Sequence, residues 1–234
     1  MIDGPAGAGK STVARAIAQK LGAALLDTGA IYRSLAWLAR ERGVSWDDEL
    51  RLAELAAMLQ IEFRPAPEPG PQIVSLLGAG TDQGGSVEVT SAIREPEISE
   101  GASQVSRHPQ VRAALMGIQR GIAARAVERG GCVAEGRDMG TVVFPDSPHK
   151  FFLTASVDTR AGRRYAELLA KGHVDTTRDQ VAVEMIRRDE RDSSRDVAPL
   201  VQAEDAVRVD SSALGSEQVV ALILGQVRAR GRSA

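Results

Sequence analysis

The chain has 234 residues, of which 43% are apolar, 26% charged and only 3% aromatic, an ordinary globular composition. The 29 basic and 31 acidic side chains give a net charge of −2, which argues against a general nucleic-acid-binding protein, because such proteins carry a basic surplus. The single cysteine, Cys132, excludes an intrachain disulfide and is expected to be a buried, unreactive thiol. No apolar run reaches the about 20 residues of a membrane helix. We therefore expect a cytoplasmic protein that binds neither nucleic acid nor membranes. We also expect it to be a monomer.

A glycine-rich loop follows a short predicted strand at residues 1–3 and precedes a predicted helix at residues 10–21. Gly4, Gly9, Lys10 and Ser11 fit the pattern Gly-x4-Gly-Lys-[Ser/Thr] without mismatch. The glycines let the backbone N–H groups turn inward as an anion nest, and the helix adds the positive end of its dipole. Lys10 suits the β- and γ-phosphates, and the Ser11 hydroxyl suits the Mg²⁺ that bridges them.

This loop predicts binding of a nucleoside triphosphate but does not identify an acceptor, because kinases, switches and motors share it. A buried central strand usually has about five residues, whereas three residues precede Gly4. We therefore expect the first strand to support the loop only weakly.

Strand and helix patterns alternate after the first helix. Residues 24–26 predict a strand, and residues 30–42 predict a helix with Ile31, Leu35 and Leu38 on one face. A further helix is predicted at residues 47–59, with the apolar positions Leu50, Leu52, Leu55 and Leu59.

Residues 61–90 interrupt this alternation with many helix-breaking residues. Prolines cluster at positions 65, 67, 69 and 71, and glycines occupy positions 78, 80, 84 and 85. The apolar run 73–77 lies between them, so the segment predicts short antiparallel strands in a small β-rich insertion. Helical patterning resumes over residues 91–129 and is interrupted at Pro96 and Pro109.

Three more apolar runs predict central strands, at residues 132–134, 151–153 and 206–209. Helical segments accompany them at residues 158–170, 178–192 and 215–230. Because fully apolar strands alternate with helices, the sequence predicts an α/β fold with a parallel sheet covered on both faces.

Arginines recur at positions without an evident structural role. Arg33 follows a turn into a helix, and Arg137 and Asp138 follow a predicted strand, at the sheet edge where ligands bind in such folds. Helical spacing places Arg160, Arg163 and Arg164 on one face and could do the same for Arg188, Asp192 and Arg195. A solvated, salt-bridged helix face is the alternative explanation for residues 187–192.

Beside a triphosphate-binding loop, these arginines favour a second site for a phosphate monoester, because the guanidinium fork binds phosphate bidentately. An ionised phosphate acceptor needs no strong general base. The three histidines, His108, His149 and His173, lie in segments without a catalytic pattern and are predicted to be on the surface.

Several motifs closely resemble those of bacterial-type cytidylate kinases and occur in the same order along nearly the whole chain. They are GPAGAGKST at residues 4–12, DTGAIYR at 27–33, GRDMGTVVFPD at 136–146, RDERD at 188–192 and DVAPL at 196–200. The segment 136–146 is the most specific to the family.

The resemblance implies a single-domain nucleoside monophosphate kinase with a three-layer P-loop kinase fold and a five-stranded parallel sheet. The core would comprise residues 1–60 and 91–234, with a monophosphate-binding insertion at about 61–90 and a mobile helical lid within about 157–196. The implied reaction is ATP with CMP or dCMP giving ADP with CDP or dCDP, and Mg²⁺ would accompany ATP.

The resemblance also implies roles for individual residues. The catalytic residues would be Lys10, Arg137 and Arg188. The ATP-binding residues would be Gly4, Pro5, Ala6, Gly7, Ala8, Gly9, Lys10, Ser11, Thr12 and the lid residues Arg160, Arg163 and Arg164. The CMP phosphate would contact Arg33, Arg137 and Arg188, the sugar Asp192, and the base Ser103, Arg112, Asp138 and Arg195. Thr28 and Tyr32 complete the implied CMP site.

Cytosine and uracil differ in ways that these residue types can distinguish. Arginines only donate, so Arg112 and Arg195 suit the ring nitrogen and O2 of cytosine, whereas Asp138 and Ser103 can accept from its amino group. Uracil would present an acceptor to Asp138, a mismatch that costs at least about 1–3 kcal/mol.

The chain departs from the family pattern at two places. Glu135 stands where the family commonly has Asp, which changes the reach of a carboxylate toward Mg²⁺, and the glycine-rich stretch 78–86 is longer than usual. Other functions remain open: a P-loop kinase for UMP, AMP or a small metabolite, an NTP-hydrolysing switch, or a motor. The chain has no Asn-Lys-x-Asp element of a guanine-reading switch.

Overall fold

The computed structural model describes residues 1–66, 70–80, 85–172 and 174–231. The predicted breakers Pro67, Pro69 and Gly84 and the predicted surface residue His173 lie outside these ranges. The strands are β1 (Ile2–Asp3), β2 (Ala24–Asp27), β3 (Gln60–Arg64), β4 (Ile73–Gly80), β5 (Gly85–Glu88), β6 (Cys132–Gly136), β7 (Phe151–Thr154) and β8 (Val207–Asp210). The helices are α1 (Lys10–Leu21), α2 (Thr28–Glu41), α3 (Glu49–Met58), α4 (Pro96–Val105), α5 (Pro109–Glu128), α6 (Val157–Ala170), α7 (Arg178–Ser193) and α8 (Ser216–Gly231).

The chain divides into two compact units, and each is described by itself. The first unit comprises residues 1–27 and 120–234, and the second comprises residues 28–119. The predicted boundaries of the core, insertion and lid stay a prediction.

A five-stranded sheet in the order β2-β6-β1-β7-β8 forms the centre of the first unit. All of its strand pairs are parallel, which confirms the predicted α/β fold with a five-stranded parallel sheet. Its core combines strand residues such as Leu153 and Val209 with Val13 of α1 and Ile223 of α8. The strands are short, but the prediction that they are fully apolar was wrong for β8, where the exposed Arg208 and Asp210 alternate with valines, as on an edge strand that is covered only in part.

The short strand β1 is supported from both sides. Ile2 and Asp3 pair with Glu135 and Gly136 of β6 and with Phe151 and Phe152 of β7. The Phe151 N–H also donates to the Met1 carbonyl at 2.9 Å. Because a central strand is bonded at both edges, two residues suffice to place the loop that follows.

The second unit combines helices with a small antiparallel sheet in the order β3-β4-β5. This sheet confirms the predicted β-rich character of residues 61–90. Helix α2 packs against α3 and α4, and Ile31, Leu35 and Leu38 are buried, as predicted. The helix predicted at residues 47–59 is observed as α3. Leu52, Leu55 and Leu59 are buried, whereas Leu50 is 65% exposed because it lies off the face that α3 presents to its neighbours.

The two prolines that interrupt the helical pattern begin helices rather than break them. Pro96 is the first residue of α4 and Pro109 the first of α5. Proline suits the first helical turn because its missing N–H would have no partner there.

Candidate active site

The glycine-rich loop connects the end of β1 to the start of α1. Gly4 has a φ of 146° and Gly7 a φ of 73°, backbone conformations that other residues rarely adopt. Space is also restricted: a Cβ atom on Gly4 would collide with the Leu153 carbonyl, and one on Gly7 would lie 2.5 Å from the Met185 Cε. Gly4 is therefore required by both conformation and packing, because the Leu153 backbone cannot move aside, whereas Gly7 is required chiefly by conformation, because the end of the Met185 side chain can shift.

Lys10 is buried at the start of α1, and its Nζ donates to the Pro5 carbonyl at 2.7 Å. Burial lowers the pKa of Lys10 well below its ordinary value; the charge of Arg137 lowers it further, whereas Glu135 raises it. A triphosphate would favour the charged lysine by the opposite effect. Ser11 and Thr12 follow in the first helical turn and are exposed.

The three arginines of α6 have different partners. The Arg160 guanidinium is buried, donates to the Ala6 carbonyl of the loop at 3.1 Å and pairs with Asp189 of α7 at 2.6 Å. Arg163 donates to the Ser211 hydroxyl at 3.0 Å, and Arg164 pairs with Glu167 at 2.9 Å. Contact of these side chains with ATP stays a prediction.

Ser211, which the sequence did not single out, links Arg163 to the loop. Its buried hydroxyl donates to the Ala8 carbonyl at 3.1 Å. No pattern in the sequence predicts this contact, because the two residues lie 203 positions apart.

Asp192 is the centre of a buried ionic cluster. Its carboxylate accepts from the Arg137 Nε at 3.0 Å, contacts Arg195 and lies 3.9 Å from the Arg188 Nε. Burial raises the pKa of Asp192, but the charges of Arg137, Arg195 and Arg188 together bring it below the ordinary value. The structure therefore brings together four residues that the sequence assigned to the CMP site, although α7 ends at Ser193, before Arg195.

Asp138 is buried and immediately precedes a short π-helix, Met139–Val143. Two side chains that the sequence reading missed hold this helix. Asp3 accepts from the Met139 and Gly140 N–H groups at 2.9 and 2.8 Å, and Arg120 donates to the Val143 carbonyl at 3.0 Å. The position of Asp3, directly before Gly4, could have drawn attention to it. Its hydrogen-bond partners, however, cannot be identified from sequence spacing.

The second unit holds the remaining predicted site residues. Arg112 is buried, and its guanidinium lies over the Tyr32 ring, 5.7 Å from the ring centroid. Arg112 also donates to the Ser106 carbonyl at 3.2 Å, and the Ser106 hydroxyl donates to the Ser103 carbonyl at 2.9 Å. Thr28 and Ser103 are buried, on α2 and α4, and Arg33 is half-buried on α2.

The prediction that all three histidines lie on the surface was wrong for His108. His108 is only 8% exposed, and its Nε2 lies 2.8 Å from the Trp46 carbonyl. The absence of a catalytic pattern around His108 does not place it on the surface, because the turn between α4 and α5 packs it against Trp46. His149 is half-buried, and burial lowers its pKa.

Cys132 is half-buried at the start of β6. Burial raises the pKa of its thiol to about 11, which keeps it protonated and unreactive near neutral pH.

Within the described ranges, no group of three or more His, Cys, Asp or Glu side chains is placed to hold a metal ion. Mg²⁺ bound together with a nucleotide needs only one or two protein oxygens, because phosphate and water supply the rest. The exposed Ser11 hydroxyl and the Glu135 carboxylate, which acts on Lys10, provide oxygens of the right kind. None of the described helices is long and apolar enough to cross a membrane.

The parallel sheet, the phosphate loop between β1 and α1 and the arginines of α6 and α7 together define a P-loop kinase fold. The sequence profile of the family described as cytidylate kinase matches residues 1–229 of this chain. The chain belongs to the cytidylate kinase family.

Curated relatives agree with this assignment. The chain is 48% identical to the cytidylate kinase of Pseudomonas savastanoi pv. phaseolicola (strain 1448A / Race 6), over 98% of this chain and 95% of the relative. It is 47% identical to the cytidylate kinase of Azotobacter vinelandii, over 98% of this chain and 94% of that protein. A bifunctional pantoate ligase/cytidylate kinase of Synechococcus sp. (strain CC9605) is 43% identical, and there the match covers 45% of the longer relative.

Proposed function

We propose that this protein transfers the γ-phosphoryl group of ATP to CMP and dCMP, giving ADP with CDP or dCDP. The observation that carries the proposal is the phosphate loop with its buried Lys10, in a unit that also holds the arginine cluster around Asp192. Membership of the cytidylate kinase family supports cytidylate as the acceptor.

The donor site is proposed to consist of residues 4–12. Backbone N–H groups of the loop and the start of α1 receive the phosphates of ATP. Lys10 neutralises charge on the β- and γ-phosphates, and its buried position makes that charge effective because little water screens it.

Arg137 and Arg188 are proposed to bind the phosphate of the acceptor. An oxygen of that phosphate attacks the γ-phosphorus, and the bond from the γ-phosphorus to the bridging oxygen of ADP breaks. Asp192 holds Arg137 in place through the contact at 3.0 Å and is proposed to contact the sugar as well. Arg33, Thr28 and Tyr32 are proposed to complete this site.

Asp138, Ser103, Arg112 and Arg195 are proposed to recognise the base. The Asp138 carboxylate accepts a hydrogen bond from the amino group of cytosine, and the arginines donate to its ring nitrogen and O2. The 5.7 Å contact between Arg112 and the Tyr32 ring supports a fixed orientation for that guanidinium.

Mg²⁺ is proposed to accompany ATP, with Ser11 as its protein ligand and Glu135 acting through water. When bound, the ion neutralises charge on the β- and γ-phosphates. The residues within about 157–196 are proposed to act as a lid whose arginines, Arg160, Arg163 and Arg164, meet ATP and exclude water.

The test is a coupled assay of ADP release with CMP, dCMP, UMP, AMP or no acceptor. We expect ADP release that depends strongly on CMP or dCMP. Equal rates with UMP or AMP would instead indicate a kinase for another acceptor, and ADP release without any acceptor would indicate a switch or a motor.

A cytoplasmic location and a monomeric state belong to the same proposal. The single cysteine with its raised pKa supports a location where disulfides are not needed. Cell fractionation tests the location, and light scattering tests the monomer.

A further inference from the structure

The π-helix Met139–Val143 is capped at both ends by charged side chains from distant parts of the chain. At its start, the Asp3 carboxylate accepts from the Met139 and Gly140 N–H groups at 2.9 and 2.8 Å. At its end, Arg120 of α5 donates from Nε to the Val143 carbonyl at 3.0 Å and from Nη2 to the Val142 carbonyl at 3.3 Å.

The signs of the two charges match the ends they cap. A carboxylate stabilises the start of a helix and a guanidinium stabilises its end, because each meets backbone groups without a partner inside the helix. An aspartate directly before a helix usually caps it with its own side chain. Asp138 occupies that position, but its side chain makes no capping hydrogen bond; Asp3 caps the helix instead.

These contacts determine where Asp138 lies. The Val142 and Val143 N–H groups donate to the Asp138 carbonyl at 2.9 and 3.1 Å, and Arg120 holds the carbonyls of the same two valines. Asp3 holds the residue that follows Asp138. A shift at either end of the π-helix would therefore move Asp138.

Asp3 is only 6% exposed. Burying its carboxylate costs free energy, and the hydrogen bonds to the carboxylate must offset that cost. Burial raises the pKa of Asp3, and the hydrogen bonds from Gly140 and Met139 lower it in part. Arg120, by contrast, lies on an exposed position of α5, so its substitution leaves the core intact.

We propose that Asp3 and Arg120 are positioning residues for base selection: by capping the π-helix, they hold the Asp138 carboxylate at the place where it meets the amino group of cytosine. This inference rests on the proposed function, in which Asp138 recognises that group. It adds two residues, one before the phosphate loop and one on α5, to the determinants of acceptor choice.

The experiment compares kcat/KM for CMP with kcat/KM for UMP in the wild type and in Asp138→Asn, Asp3→Asn and Arg120→Ala. We expect Asp138→Asn to lower the CMP/UMP ratio at least about tenfold, and each positioning variant to lower it about threefold to tenfold. Both rates come from one preparation, so loss of folded enzyme cancels from the ratio. Arg125→Ala, an exposed arginine on the same helix, is the matched control and should leave the ratio unchanged.

Double variants separate positioning from a general structural effect. Adding Asp3→Asn or Arg120→Ala to Asp138→Asn should lower the CMP/UMP ratio no further, because the carboxylate that they position is gone. Further loss in the double variants would overturn the inference, as would unchanged ratios in both single variants. An unchanged ratio in Asp138→Asn itself would instead reject the proposed role of Asp138.

Asp3→Asn could fail to fold, because Asp3 is buried. Arg120→Ala then carries the comparison, together with amide hydrogen exchange of the wild type. The Met139 and Gly140 amides should exchange slowly if Asp3 holds them. Exchange as fast as in an open loop would contradict the inference.

Discussion

The ammonium group of Lys10 is buried and held by a hydrogen bond to the Pro5 carbonyl. The charges of Arg137 and Glu135 are close enough to affect its pKa. Charge placed in a dry site acts strongly on a transferring phosphoryl group, because little reorganisation is needed during the reaction. The proposed role of Lys10 therefore lies in the chemical step rather than in holding the acceptor.

We therefore expect Lys10→Ala to lower kcat at least about 100-fold while the Kd for CMP changes little. Coupled ADP release measures kcat, and calorimetry measures CMP binding. Lys20→Ala, at the exposed end of the same helix, should behave like the wild type. Near-normal turnover of Lys10→Ala would refute the role of the phosphate loop.

Residue identities in motifs were readable from the sequence, but partners were not. The loop pattern named Lys10 and Ser11, and the Gly-Arg-Asp segment named Arg137 and Asp138. Asp3 and Arg120 went unnoticed because their roles depend on contacts with backbone 136 and 23 residues away along the chain. A hydrogen bond to a backbone group leaves no signature in the residue type of its partner.

At the scale of elements, α4 packs unusually closely on Trp46. A Cβ atom on Gly101 would lie 2.5 Å from Cε2 and 2.7 Å from Cη2 of the Trp46 ring. The ring has little freedom to move, because its Nε1 donates to the Ala36 carbonyl at 3.0 Å and the Trp46 carbonyl contacts His108. Gly101 thus permits a contact that any larger residue would prevent.

We expect Gly101→Ala to destabilise the protein by about 1–3 kcal/mol, because an added methyl group overpacks a tight contact. Urea denaturation measures the change. The matched control is Gly117→Ala on α5, where a Cβ atom would meet nothing within 4 Å; there alanine should stabilise the helix by about 0.5–1 kcal/mol. The same sign for both variants would contradict the packing argument.

Helices were well predicted where the spacing of apolar residues agrees with the residues that mark helix ends, such as proline and glycine. The helix predicted at residues 10–21 is observed as α1, and Pro96 and Pro109 mark the starts of α4 and α5. The π-helix at residues 139–143 was not predicted. Five residues are too few to show periodicity, and its hydrogen bonds depend on caps supplied by other elements.

At the scale of the whole molecule, the Asp192 cluster couples stability to pH. The folded-state pKa of Asp192 is lowered, so its ionised form stabilises the folded protein. That stabilisation is complete above the unfolded-state pKa of about 3.9 and is lost as pH falls through the folded-state pKa.

Asp192→Asn should lower the free energy of unfolding at pH 7 by about 3 kcal/mol, because it leaves the nearly buried Arg195 and the half-buried Arg137 and Arg188 without their counter-charge. This deficit should stay constant down to about pH 5 and shrink below about pH 4, as the wild type also loses the charge. Urea denaturation at pH 7, 5 and 3.5 measures it. Asp179→Asn, exposed in the first turn of α7, should cost at most about 1 kcal/mol, and a deficit for Asp192→Asn that grows toward low pH would contradict the argument.

The sequence by itself determined the α/β class, the order of the main strands and helices and the residue types that suit the phosphate loop to its proposed chemistry. Those properties follow from local spacing, from apolar strands and from residue types that suit phosphate. Tertiary structure decided how two residues of β1 suffice for a central strand, which partners Asp192 gathers and how Asp3 and Arg120 hold the π-helix before Asp138. These features depend on contacts between segments far apart in the chain, and such contacts exist only once the chain has folded.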